Sequence, residues 1–235
     1  SAAETVKRLA EESSERIRKI VEDDKRVADD SSRKIKELIE EIKRRVKELL
    51  DRIKGLGSTE DLEKLLDELL KEVKRLLEEL LDAHAKWSDD SRRLLEAVLR
   101  THKELIDRLI KLLRDGGKPE EAVRRLEKVL RESLRRVKEV IKELIDLNKE
   151  TLDRLKKIVE DLERVLREVL TELRRGSDSK EAVIRLIEEL VKLLEDVLRR
   201  LLEVNETLVE LNKRVWDRLV RINEELAEVA LRVAT

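Results

Sequence analysis

The chain has 235 residues, 47% of them charged, and its 55 basic and 56 acidic side chains nearly cancel. It contains no Cys, Met, Phe or Tyr, and its only aromatics are Trp87 and Trp216. Signs alternate along the sequence, which excludes a basic nucleic-acid face and a basic, aromatic-rich membrane-surface helix, and the lack of cysteine excludes disulfides and thiolate chemistry. Apolar runs never exceed three residues, too short for a membrane span or a signal-peptide core, so the chain is expected to be soluble.

Helix-forming residues dominate and strand-formers are scarce, which predicts an all-α fold. All five glycines and the single proline fall at three places. The first predicted helix, 2–54, opens on Ser1 with Glu4 at capping-box spacing and stops at Gly55–Leu56–Gly57–Ser58. The second, 59–114, is capped by Ser58 with Asp61 and ends at Asp115–Gly116–Gly117–Lys118–Pro119. The third, 119–175, starts on Pro119, with Glu120 and Glu121 at the positive end of its dipole. Gly176–Ser177–Asp178 then leads into the fourth, 179–234, with Asp178 and Glu181 as its capping pair. Helices of this length are each about 80 Å long. Turns this short fold each helix back along its predecessor, so the expectation is one up-down-up-down antiparallel four-helix bundle over 1–235.

The apolar pattern recurs at one constant interval: Ile17, Ile35 and Ile53; Leu126, Leu144 and Leu162; Leu190, Leu208 and Leu226. That interval is five whole turns at about 3.6 residues per turn, which predicts nearly straight helices and not a seven-residue supercoil.

Polar residues interrupt that stripe. Pairing the helices about their turns puts His84 level with Asp30 or Ser31, with Asn148 or Thr151, and with Asn205. It puts His102 level with Ser13 or Ser14, Ser133 and Asn223. A third, less regular layer joins Asp24, Trp87, Ser91 and Asn212, with the Trp87 indole donating to the Asp24 carboxylate. Each of the two histidine layers draws one hydrogen-bonding residue from every helix. A buried polar group left unsatisfied costs about 1–3 kcal/mol, so such layers satisfy themselves only in one arrangement and penalise any other.

Chemistry is the competing reading of the same residues. His84 and His102 stand five turns apart, about 27 Å, and cannot share a metal or haem. Leu81 and Leu99 occupy the positions where a di-iron bundle carries the Glu of Glu-x-x-His, and no layer offers zinc more than one histidine. Neither histidine layer resembles a Ser–His–acid triad beside a cleft. The chain is therefore expected to be no enzyme, with no catalytic, cofactor or metal residues. Asp30 beside His84 reads as an acid–imidazole pair that orients the ring, and protonating a buried histidine would loosen its layer.

One asymmetry points elsewhere. The fourth helix is richer in apolar residues than the first, and Leu193, Val204, Leu211, Val215 and Ile222 form a second row beside its main stripe. That row suggests docking of another copy or another protein chain. The first half of helix one, with Asp23, Asp24, Asp29 and Asp30, suggests a segment that can be released.

Leu/Glu/Lys/Arg helices, Ser/Asp/Gly/Pro turns and layered Asn, Ser, Thr and His together resemble de novo designed helical bundles with buried hydrogen-bond networks. That class includes designed helical-hairpin heterodimers and single-chain cage-and-latch switches. The resemblance is one of style over the whole chain and implies a stable scaffold without an obligatory partner. It carries over no binding residue.

Overall fold

The computed structural model describes residues 2–175 and 179–234; the predicted caps on Ser1 and Asp178 and the Gly176–Ser177–Asp178 turn lie outside them. The fold is an all-α four-helix bundle: α1 (Ala2–Ile53), α2 (Thr59–Asp115), α3 (Glu120–Arg174) and α4 (Lys180–Ala234). These bounds agree with the sequence reading to within a residue.

The turns explain the boundaries. At the start of α2 the Asp61 N–H donates to Ser58 Oγ at 3.2 Å, the N-cap bond that satisfies one of the unpaired amides of the first turn. At the start of α4 the capping oxygen belongs to Ser179, which accepts from the Ala182 N–H at 3.3 Å. After α2, Gly117 adopts φ +70°, the only positive φ among the described residues. A side chain there would be strained by its own backbone.

Inter-helix contacts give the topology. Ser14 and Asp24 of α1 meet Asn223 and Trp216 of α4, with numbers rising on one helix as they fall on the other. Ser91 and His102 of α2 meet Asn148 and Ser133 of α3 in the same antiparallel sense. Arg136 and Glu143 of α3 meet Glu225 and Arg218 of α4 likewise.

Contacts cluster into two compact units, each containing a stretch of all four helices. Unit 1 comprises Ser1–Asp29, Trp87–Asn148 and Val209–Thr235, and unit 2 comprises Asp30–Lys86 and Lys149–Leu208. In unit 1 an apolar cluster joins Leu105, Ile106, Leu109 and Leu113 of α2 to Val123 and Leu130 of α3, Val6 of α1 and Leu226 of α4. In unit 2 the fully buried side chains include Ile35, Ile39 and Ile42 of α1 and Leu76, Leu77 and Leu80 of α2. Burying each such side chain contributes about 1.5–3 kcal/mol, and the fold rests on these stripes.

Gly117→Ala is expected to destabilise the protein by about 1 kcal/mol, because alanine resists the left-handed conformation. Gly57 has an ordinary φ, and a Cβ there would meet nothing within 4 Å. Gly57→Ala should therefore be neutral or slightly stabilising. Guanidinium unfolding midpoints of the two variants test the contrast.

Candidate functional site

The features that set this chain apart from a plain apolar bundle are its buried polar side chains. Those of unit 1 draw on every helix. Asp24 of α1 is 1% exposed. Its Oδ2 accepts the indole N–H of Trp216, from α4, at 2.6 Å. The Ser91 hydroxyl of α2 is its second polar neighbour and favours the charged form, although Oδ1 has no partner at hydrogen-bonding geometry. Ser91 Oγ accepts from Asn148 Nδ2 of α3 at 3.4 Å, and Asn148 Oδ1 accepts from Asn212 Nδ2 of α4 at 3.1 Å.

Two departures from the sequence reading appear in this set. The indole that donates to Asp24 is that of Trp216, and Trp87 is buried without donating to that carboxylate. Asn148, expected level with His84 and Asn205, joins Ser91 and Asn212 instead. Levels counted from turn midpoints ignore the stagger that side-chain packing imposes along a helix pair, and here that stagger exceeds a turn.

The remaining contacts fall into two like sets. In unit 1 Asn223 Nδ2 donates to Ser14 Oγ at 2.8 Å, and His102 Nε2 lies 3.3 Å from Ser133 Oγ. In unit 2 Asn205 Nδ2 donates to Ser32 Oγ at 3.0 Å, and His84 and Thr151 are buried. Every member of one set stands the same five turns from its counterpart: Ser14 and Ser32, His102 and His84, Ser133 and Thr151, Asn223 and Asn205. A whole number of turns returns a side chain to the same face of its helix.

The serines of α1 differ from the expectation by one position. Ser13 is buried, but its Oγ has no hydrogen-bond partner, and the bond to Asn223 goes to the half-buried Ser14. Ser31 is half-buried while Ser32 takes the bond from Asn205. Asp30 is a correction of another kind: it is exposed, 4.0 Å from Arg33, and is no partner of His84. A helix turns about 100° per residue, so one position decides which neighbour a short serine reaches. The five-turn period running through Ser14 could have found Ser32. Sequence reasoning also misses Thr101, which is buried and donates to the Ala97 carbonyl at 2.9 Å, satisfying itself within its own helix.

Burial governs the ionisation of these groups. It pushes the Asp24 carboxyl up to about 6, against the opposing pull of Trp216 and then Ser91. It pushes both His84 and His102 down to about 4, with no neighbouring charge contributing. Both imidazoles are neutral at pH 7 and act as hydrogen-bonding groups.

The surface is a field of exposed ion pairs, such as Arg114–Glu127 at 2.9 Å and Arg174–Glu63 at 3.2 Å, each worth little to stability. In the second apolar row of α4, Val215 and Ile222 are buried, Val204 and Leu211 are half-buried, and Leu193 is exposed. Between α3 and α4 of unit 1 an open groove is lined by Val129, Ser133, Ile222, Leu226 and Val229. Among the described residues no three His, Cys, Asp or Glu side chains are grouped to hold a metal, and no helix is long and apolar enough to cross a membrane. No protein-family model matches the chain, and no curated protein matches it.

The histidine pKa values carry a sign that can be tested. A folded-state value below the ordinary 6.5 means the unfolded chain takes up protons first. The stabilising contribution is then complete above pH 6.5 and lost as pH falls towards 4. Between pH 7.5 and 4.5 each histidine should withdraw about 2–3 kcal/mol. Guanidinium unfolding at both pH values, comparing wild type with His84→Gln and His102→Gln, should show each variant losing less stability on acidification than wild type.

Proposed function

We propose that the chain is a structural scaffold of de novo designed type, whose buried polar side chains form hydrogen-bond networks that select one packing arrangement. It catalyses no reaction and needs no cofactor or partner. The observation that carries this reading is the group of buried bonds Trp216–Asp24, Asn148–Ser91 and Asn212–Asn148, which between them draw on all four helices in unit 1.

The two like sets are not sufficient for selection by themselves. Because they repeat after five turns, a helix displaced by that distance could present an equivalent polar group to its neighbour. The Asp24 set has no such copy. Five turns to either side of Asp24 stand Val6 and Ile42; of Ser91, Val73 and Leu109; of Asn148, Leu130 and Leu166. A displaced helix would set the carboxylate against aliphatic carbon, and an unpaired buried charge is far more costly than an unpaired amide. The unique set therefore removes the ambiguity that the repeated sets leave. The composition supports a designed origin. The core is built from Leu, Ile and Val, with well-defined rotamers, and the surface from Glu, Lys and Arg.

The combined variant Asp24→Leu, Ser91→Ala, Asn148→Leu, Asn212→Leu and Trp216→Leu tests the proposal. It should remain helical and at least as resistant to denaturant as wild type, because buried ions are often replaced by hydrocarbon without loss. Its amide NMR spectrum should broaden or split into several packed forms. A single sharp spectrum like that of wild type would show that the Asp24 set is not needed to select the arrangement.

A further inference from the structure

The hydrogen-bond directions in unit 1 have a common sense. Asn212 donates to Asn148, Asn148 donates to Ser91, and Trp216 donates to Asp24. With its oxygen already accepting from Asn148, the Ser91 hydroxyl has its proton available for Asp24, where it favours the charged form. Donors from α2 and α4 thus converge on one carboxyl, and α3 stands behind them. That polarity suits an anion, which only accepts.

No cation completes the site. The groups that meet Asp24 are neutral, namely Ser91 of α2 and Trp216 of α4, followed by Asn148 of α3 and Asn212 of α4. The charged residues next in sequence to these five are Asp23 and Lys25 of α1, Asp90 and Arg92 of α2, Lys149 of α3, and Lys213 and Asp217 of α4. Among the described residues Lys25 pairs with Glu22, Arg92 with Asp89 and Lys213 with Glu210, and none of these side chains forms an ion pair with Asp24. Oδ2 is occupied by the indole, and Oδ1 is buried with no hydrogen-bond partner. Oδ1 is therefore the oxygen open to a proton.

We propose that Asp24 is a reversible proton-binding site inside unit 1, taking up one proton on Oδ1 in mild acid while the helices stay folded, with Trp216 reporting its state. Loss of the negative charge weakens the bond from the Trp216 N–H, since a bond to a neutral acid is about half as strong as one to a carboxylate. The weakening passes along the series, because Ser91 and Asn148 are polarised by the charge they point towards. Burial favours uptake well above the ordinary carboxylate range, to about 6. The direction is opposite to that of the histidines. A raised folded-state value means the folded chain binds this proton more tightly than the unfolded chain, so the linkage favours folding as pH falls from 6 towards 4.

The 235-residue chain, labelled at the aspartate side-chain carbonyl carbon and the indole nitrogen, allows a direct test. Between pH 7.5 and 4.5 the Asp24 carboxyl resonance should move through a one-proton transition centred near 6. The Trp216 indole cross-peak should follow the same curve, with helical circular dichroism unchanged. Asp24→Asn should abolish the indole transition. An Asp24 resonance that shows no transition between pH 7.5 and 4.5 would overturn the proposal, as would an indole transition that persists in Asp24→Asn.

Discussion

A carboxylate removed from water must be met by hydrogen-bond donors, and in this bundle the requirement falls on Asp24. Its donors come from two other helices, so their heights relative to α1 are fixed to within the reach of a side chain. Asn148 and Asn212 extend the same constraint to α3 and a second turn of α4. An aliphatic stripe says only that two faces should meet, and it tolerates small slides because leucine against leucine differs little from one position to the next. The polar contacts convert that loose preference into a definite alignment. The desolvation they require is set against the hydrocarbon burial that surrounds them.

Much of the architecture was legible from punctuation. Glycine and proline at three places and a serine three residues ahead of Asp61 mark where helices must stop and start, because backbone amides and carbonyls at helix ends need partners. Antiparallel order followed from the brevity of the turns. Membership of the buried polar set was largely legible as well, since a polar residue on an apolar ladder has nowhere else to go.

Partnership was less legible, for a geometric reason. Ser13 and Ser14 differ by one position, Asp30 and Ser32 by two, yet each step rotates the side chain by about 100°. Ladder counting resolves a face no better than that. Trp216 lies five turns after the core residue Leu198, and its single N–H becomes decisive only when a carboxylate is found within reach. The height of Asn148 depended on stagger between α3 and its neighbours, which is set by side-chain interdigitation and is invisible in either sequence alone.

The five-turn relation between the two like sets has a consequence for length. Five turns close almost without remainder, so inserting or removing that much of every helix returns each face to its original direction. Each of the two like sets carries its own Ser–Asn contact and histidine, whereas Asp24 has only Val6 and Ile42 at that interval.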